Sequence, residues 1–216
     1  VFTDADIKIT TEGRKYLGGF IGGEAGQSKY INELVDTWCE QLTLLSKTAK
    51  SELQASYAVF TGGFRHKLTY DIRTIPNIKQ HLLQVYKGVL TKFITAITEG
   101  HICTPDEQDE RLSLSLPVKK GGLAIPIFAE IADFEYENSQ SATHQLVRNI
   151  KCQESTAALD KELLKQTRNS IVKAREERKT PILQQLHGRM NKEQLRANEL
   201  NTMRGASSGL TTLPMQ

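Results

Sequence analysis

Residues 7–22 read IKITTEGRKYLGGFIG, and this stretch determines how the fold begins. Two runs of β-forming residues, Asp6–Thr10 and Lys15–Ile21, flank a Thr-Glu-Gly-Arg sequence. Gly13 in that sequence supplies the positive φ that a tight hairpin turn requires. We therefore predict a β-hairpin over residues 1–23. Because a hairpin this short is unstable alone, we expect it to be poorly ordered or to lie against a helical body.

The pattern changes after Gly26 to helices with one apolar face, in which apolar residues recur every three or four positions. Together these helices predict a helical domain over residues 24–153. The Gly62-Gly63 pair predicts a kink or a break, and Gly100 predicts a helix end. The Thr-Pro-Asp-Glu sequence at 104–107 resembles a capping box, and residues 116–126 have the composition of a loop. The predicted helices are Ser28–Ala49, Glu52–Ile75, Ile78–Thr98, Phe128–Asn138 and Thr143–Gln153.

Residues 154–188 are polar and rich in Lys and Arg, with only a thin apolar stripe. This composition predicts one long basic helix that packs on one side or projects from the body. Asn191 is expected to cap a short last helix, and a Ser-, Thr- and Gly-rich tail follows, so 189–216 is predicted to end in disorder. The fold class is therefore mainly α, with a short N-terminal β-hairpin, a helical bundle and a long basic helix.

The charge of the chain is unevenly distributed. The net charge is +3, but residues 1–150 carry −2 and residues 151–216 carry +5. A basic tail suits an anionic partner such as RNA or DNA, although a solvated helix face has the same composition. The sequence contains no apolar run of membrane-spanning length and no signal-peptide pattern, so we expect an intracellular protein of the cytoplasm or nucleus, without a membrane partner.

Motifs for catalysis or metal binding are not evident in the sequence. The three cysteines are widely spaced, and His101 and Cys103 alone do not supply a zinc site. The glycine cluster from Gly18 to Gly26 has Gln27 where a phosphate-binding loop requires lysine. No nucleophile elbow or set of metal-binding carboxylates stands out. We therefore predict no catalytic residue, no metal ligand and no cofactor in this chain.

Clusters of cations beside aromatic or flexible residues instead indicate nucleic-acid contact. Two cations lie at the predicted hairpin turn, three surround a tyrosine in the second helical segment, and two precede a Gly-Gly pair whose backbone N–H groups could meet phosphate. Each cluster alone is typical of a solvated surface, and together they favour a shared binding face. The candidate residues are Arg14, Lys15, Arg65, Lys67, Tyr70, Arg73, Lys119 and Lys120.

Several short sequence motifs, spread in order over nearly the whole chain, resemble the region after the catalytic palm in reverse transcriptases of animal retrotransposons. Gly13–Gly18 with Phe20–Gly22 is similar to the primer-grip hairpin of that family. The other similar strings are Trp38 with Leu44–Ser46, Gln54–Ala58, Phe64–Tyr70 with Arg73–Pro76, Leu116-Pro117 with Gly121–Ile125, and Leu195–Asn198 with Gly205–Ser208.

The resemblance implies that the hairpin positions a primer strand and that the helices form a thumb-like domain on an RNA–DNA or DNA duplex. It adds Tyr16 and Gly18 to the candidate binding residues. The family's Tyr/Phe-x-Asp-Asp turn, which would hold Mg²⁺, is absent and would precede Val1. We therefore expect a fragment truncated at both ends, whose further partner is the palm of the parent RNA-directed DNA polymerase.

Two alternatives stay open beside this accessory role in nucleic-acid binding. A helical protein-interaction module, or a decayed relic that has lost nucleic-acid binding, would have the same helical pattern and the same basic segment. An independent enzyme is the third possibility, but no constellation of residues in the sequence supports it.

Overall fold

Helices dominate the computed structural model, as the apolar periodicity predicts. The structure describes residues 11–85, 89–100, 108–153 and 160–189. Two strands form an antiparallel hairpin, β1 (Gly13–Tyr16) and β2 (Gly19–Gly22). The α-helices are α1 (Glu24–Thr48), α2 (Leu53–Val59), α3 (Arg65–Thr74), α4 (Lys79–Val85), α5 (Thr91–Ile97), α6 (Gln108–Ser115), α7 (Phe128–Lys151), α8 (Lys161–Glu177) and α9 (Lys179–Arg189).

The hairpin turn lies at Leu17-Gly18, not at the predicted Thr-Glu-Gly-Arg sequence. Leu17 and Gly18 have φ values of 48° and 82°, and positive φ at both central residues is the mark of a two-residue type I′ turn. Gly13, which the sequence assigned to the turn, instead pairs with Gly22 in the sheet. A Cβ on Gly13 would lie 2.6 Å from the Gly22 Cα, so the close backbone approach explains this glycine.

Helix α1 begins at Glu24, four residues before the predicted start at Ser28, because Gln27 already donates its backbone N–H to the Gly23 carbonyl at 3.0 Å. Its buried stripe follows the predicted periodicity, and Trp38 at its centre is fully buried. The Phe60 and Phe93 rings stack with centroids 4.9 Å apart beneath α1. The core therefore lies between α1, the α2–α3 segment, α4, α5 and the first half of α7.

The Gly62-Gly63 pair does not break its helix. Residues Phe60–Phe64 form a π-helical segment that joins α2 directly to α3. The wider turn of a π-helix accommodates the irregularity without ending the helix. Helix α3 then packs along α7 and ends before Pro76, as the restriction on residues before proline predicts.

The predicted helix over 78–98 is described as two α-helical stretches, α4 and α5. Residues 86–88 between them lie outside the described part of the chain. Glu99 and Gly100 both have positive φ after α5, which agrees with the predicted helix end. The predicted loop over 116–126 contains one 3₁₀ turn, Val118–Lys120. The buried Arg111 anchors this loop by donating to the Ile125 carbonyl at 2.7 Å.

Two predictions about the second half of the chain are wrong. Residues 128–151 form the single helix α7 instead of two helices, because no Gly or Pro interrupts the polar stretch around Asn138. The predicted long basic helix is instead α8 followed by α9. Pro181 explains this break, since proline has no N–H to donate to the Glu177 carbonyl and is tolerated in the first turn of α9. Gly188 lies inside α9 and does not end it.

Several predicted features lie outside the described residues. They are the strand Asp6–Thr10, the capping box at 104–107, the helix capped by Asn191 and the tail after residue 205.

Candidate nucleic-acid interface

The tip of the hairpin is held on the helices by two tyrosines. Tyr30 of α1 donates its hydroxyl to the Gly18 carbonyl at 2.8 Å, and Tyr70 of α3 donates its hydroxyl to the Leu17 carbonyl. A Cβ on Gly18 would lie 2.8 Å from the Tyr70 ring, so only glycine allows this contact. The hairpin therefore lies against the helical body, one of the two expected outcomes.

The body of the hairpin packs on α1 through aromatic contacts. The Phe20 and Tyr30 rings are stacked with centroids 5.6 Å apart, and the Lys15 ammonium lies 5.7 Å from the centroid of Tyr30. A groove of about 480 Å³ runs between β1 and α1. Its charged lining residues are Glu12, Arg14, Lys15, Lys29 and Glu33, so cations exceed carboxylates by one.

Helix α3 adds a second set of exposed side chains beside the hairpin tip. Lys67 is exposed and lies 3.3 Å from the Gln41 side-chain oxygen of α1. Tyr70 is 47% exposed although its hydroxyl is bonded to the hairpin. We call the exposed side chains of Arg14, Lys15, Tyr16, Lys67 and Tyr70 together the hairpin face.

A buried carboxyl group lies beneath the hairpin face. Asp71 of α3 is 4% exposed, and among the described residues its Oδ2 atom has no hydrogen-bond partner. Desolvation raises the pKa of Asp71 to about 6, although the nearby Lys67 and Lys15 act to lower it. Both lysines therefore lie close enough to Asp71 to lower its pKa. One of them belongs to β1 and the other to α3, so both elements lie near this carboxyl group.

Arg65 and Arg73 are bonded to segments other than the hairpin, although Arg73 lies one turn after Tyr70 on α3. Arg65 donates to the Ala124 carbonyl at 3.3 Å. Arg73 donates its Nε–H to Glu135 of α7 at 2.7 Å. The structure therefore does not bring these two arginines onto the surface with Lys67, because their spacing on the helix directs them toward neighbouring segments.

Lys119 and Lys120 lie in the 3₁₀ turn before Gly121. Lys120 forms an ion pair with Glu176 of α8 at 2.9 Å, whereas Lys119 is exposed. Hydrogen bonds from Lys179 and Lys120 lower the pKa of Glu176 to about 2. This basic pair thus helps to attach α8 to the body, and only one of its two cations faces solvent.

Three residues of these sites were not among the predicted ones. Tyr30 holds the hairpin, Asp71 lies beneath the hairpin face, and Glu135 binds both Arg73 and Arg175. Asp71 and Glu135 each interrupt the apolar stripe of a helix, and an acidic residue at a core position is a signal the sequence does contain. Tyr30 has no comparable signal, since tyrosine is common at half-buried positions.

Within the described ranges, no helix is long and apolar enough to cross a membrane. The same part of the chain contains no group of three or more His, Cys, Asp or Glu side chains that could hold a metal ion. No protein-family model, curated protein or solved structure matches the chain. Any function must therefore be proposed from the residues and their geometry.

Proposed function

We propose that this chain binds a nucleic-acid duplex through the hairpin face, as the primer grip and thumb of a retrotransposon reverse transcriptase would. In this role the chain is an accessory part of an RNA-directed DNA polymerase. The duplex is an RNA–DNA hybrid or DNA, and the catalytic palm of the parent protein is the second partner. The Mg²⁺ chemistry belongs to that palm and not to the residues of this chain.

The observation that supports this proposal best is the attachment of the hairpin tip to two helices. Tyr30 and Tyr70 hold Leu17 and Gly18, which fixes the cation-bearing strand β1 against α1 and α3. Lys15 and Lys67 are 52 positions apart in sequence, yet both act on Asp71. Exposed cations and exposed aromatic side chains thus occur together around one anchored hairpin, a composition that nucleic-acid-binding surfaces share.

The chemistry of these residues favours backbone contacts over base recognition. Arg14, Lys15 and Lys67 carry positively charged donors for phosphate oxygens, and Tyr16 and Tyr70 offer aromatic surface to sugar or base edges. Phosphate contacts carry no sequence information, so the binding is expected to depend strongly on salt and weakly on sequence.

Fluorescence anisotropy with a labelled RNA–DNA hybrid tests the proposal. The double variant Lys15→Ala/Lys67→Ala should bind more weakly, and each lost phosphate contact should reduce the magnitude of the negative slope of log affinity against log salt by about 0.9. The matched control is Lys161→Ala/Lys165→Ala, which removes two exposed lysines from α8. Equal affinities and slopes for the wild type and the hairpin-face variant would exclude this face as the binding site.

A second candidate, a helical protein-interaction module, is favoured by exposed apolar residues on α7 and α8. Leu146, Val147 and Ile150 are exposed near the end of α7, and Ile150 is 75% exposed. Leu163 and Val172 of α8 are also exposed. Duplex binding no stronger than that of a neutral control protein would favour this candidate over the first.

A further inference from the structure

A cavity of about 310 Å³ lies between α3, α7 and the junction of α8 with α9. Its apolar wall is formed by Ile127, Ile131, Phe134 and Ile182. Basic side chains from three helices line the rest of the cavity. This combination of an apolar wall with a few converging polar groups is typical of sites for small ligands.

The basic side of the cavity is organised around one buried carboxylate. Arg175 donates its Nε–H and one terminal N–H to Glu135 at 2.8 and 2.7 Å, and Arg73 donates its Nε–H to the same group at 2.7 Å. Burial alone would raise the pKa of Glu135, but these hydrogen bonds outweigh it, and the pKa lies below its usual value. Glu135 is therefore charged at neutral pH and fixes both guanidinium groups in place.

The arginines keep donors beyond those that Glu135 uses. Among the described residues, the two terminal nitrogens of Arg73 have no hydrogen-bond partner. Arg73, Arg175, Arg178 and Lys179 line the cavity together with Glu130 and Glu135, so cations exceed carboxylates by two. Adding the neighbouring pair of Lys120 and Glu176 leaves that excess unchanged.

Arg178 is positioned so that it offers both charge and a flat surface. Its guanidinium lies 4.6 Å from the centroid of the Phe134 ring and donates to the Glu130 carbonyl at 3.1 Å. A planar cation stacked on an aromatic ring is held in one orientation and retains donors for an anion. The apolar wall and the fixed cation thus meet at Phe134.

We propose that this cavity binds a nucleoside monophosphate. The base lies against the apolar wall at Phe134, and the phosphate accepts hydrogen bonds from Arg73 and Arg178. A phosphate monoester carries about two negative charges at neutral pH, which matches the excess of two cations better than a single carboxylate does. Ligand pockets range from about 300 to about 1,000 Å³, so a cavity of this size fits one nucleotide and excludes a duplex.

This site is separate from the hairpin face, and its test does not depend on duplex binding. Titration calorimetry with the full chain compares AMP with adenosine and with inorganic phosphate. AMP should bind at least about tenfold more tightly than either, since neither alone uses both the wall and the arginines. Equal affinity of AMP and phosphate would overturn the proposal, as would no AMP binding at millimolar concentration.

Variants locate the site. Arg178→Ala should weaken AMP binding about tenfold, because a charge-assisted hydrogen bond and the stacked surface are lost. Phe134→Leu keeps an apolar side chain at the wall and should weaken AMP more than phosphate. The matched control is Arg168→Ala, an exposed arginine of α8 that does not line the cavity. Thermal melting establishes that each variant is folded, and unchanged AMP affinity in both cavity variants would contradict the assignment.

Discussion

The two sides of α3 carry similar basic residues, but the structure uses them differently. On the hairpin side, Lys67 is exposed, and among the described residues its side chain bonds to the neutral amide of Gln41. On the α7 side, Arg73 is bound to the buried carboxylate Glu135. Composition alone does not distinguish these two situations. The fold thus pairs Arg73 directly with a carboxylate, whereas Lys67 forms no ion pair among the described residues.

The largest expected effect concerns the α7 side. Glu135→Ala leaves the partly buried Arg73 and Arg175 without their shared partner, so we expect it to lower the free energy of unfolding by about 3 kcal/mol. Urea denaturation measures this change. The matched control is Glu137→Ala, an exposed carboxylate of the same helix, which should change stability little. If both variants lower the free energy of unfolding equally, the ion pairs of Glu135 do not attach α8 and α3 to α7.

The next effect concerns Asp71 on the hairpin side. Its folded pKa of about 6 lies above the usual 3.8, so the folded state binds the proton more tightly than the unfolded state. The stability from this group is present below pH 3.8 and is lost as the pH rises through 6. Asp71→Asn imitates the protonated form and should be more stable than the wild type at neutral pH by about 2 kcal/mol.

Denaturation at a series of pH values tests this sign. The advantage of Asp71→Asn should shrink as the pH falls from 6 to 3.8, because the wild-type carboxyl becomes neutral over this interval. Glu135 contributes the opposite dependence, but only below its usual pKa of 4.5. A difference between variant and wild type that does not change with pH would show that Asp71 is not the group that titrates.

A smaller effect is expected for the hydroxyls that hold the hairpin. Tyr30→Phe and Tyr70→Phe each remove one hydrogen bond to the turn and should cost about 1 kcal/mol. Amide hydrogen exchange should speed up in residues 13–22 more than in the core of α1. Tyr136→Phe removes a hydroxyl from α7 instead and is the matched control. Faster exchange throughout the protein, and not in the hairpin, would contradict this local role.

The smallest effect is expected for the exposed ion pair of Lys79 and Asp133. Both side chains are more than half exposed, although the Nζ–Oδ2 distance is 2.8 Å. Solvent screens such pairs, so Lys79→Ala should change the free energy of unfolding by less than about 0.5 kcal/mol. Denaturation of this variant beside Glu135→Ala compares an exposed pair with pairs whose carboxylate is buried. Similar losses would show that burial does not decide the strength of these pairs.

The apolar periodicity is enough to predict the mainly α fold and the buried stripe of α1. A helix with one buried face has apolar residues every three or four positions, and this spacing is visible in the sequence. Turns and breaks were harder to place. Gly13 has the positive φ expected of a turn residue, yet it lies in a strand, because close backbone contact with Gly22 also requires glycine. Pro181 marks the break between α8 and α9, but the basic composition is continuous across this residue and therefore predicts one helix.

The candidate site was only partly predictable for a different reason. Lys67, Tyr70 and Lys15 could be named from sequence as cationic or aromatic residues. Whether Arg73 is exposed depends on Glu135, which is 62 positions away and contacts α3 only in the folded protein. The hydrogen bond from the Tyr30 hydroxyl to the Gly18 carbonyl likewise depends on tertiary packing. Long-range partners decide which cations are paired with a carboxylate, and one sequence does not specify those partners.

Hydrogen–deuterium exchange of the full chain, with and without an RNA–DNA hybrid, tests the central claim most directly. The proposal predicts slower exchange on binding in residues 13–22 and in α3, and little change in α8. Protection confined to α8 or to the turn at Lys119 and Lys120 would contradict the assignment of the hairpin face. Unchanged exchange throughout, under conditions where the hybrid is in excess, would contradict nucleic-acid binding itself.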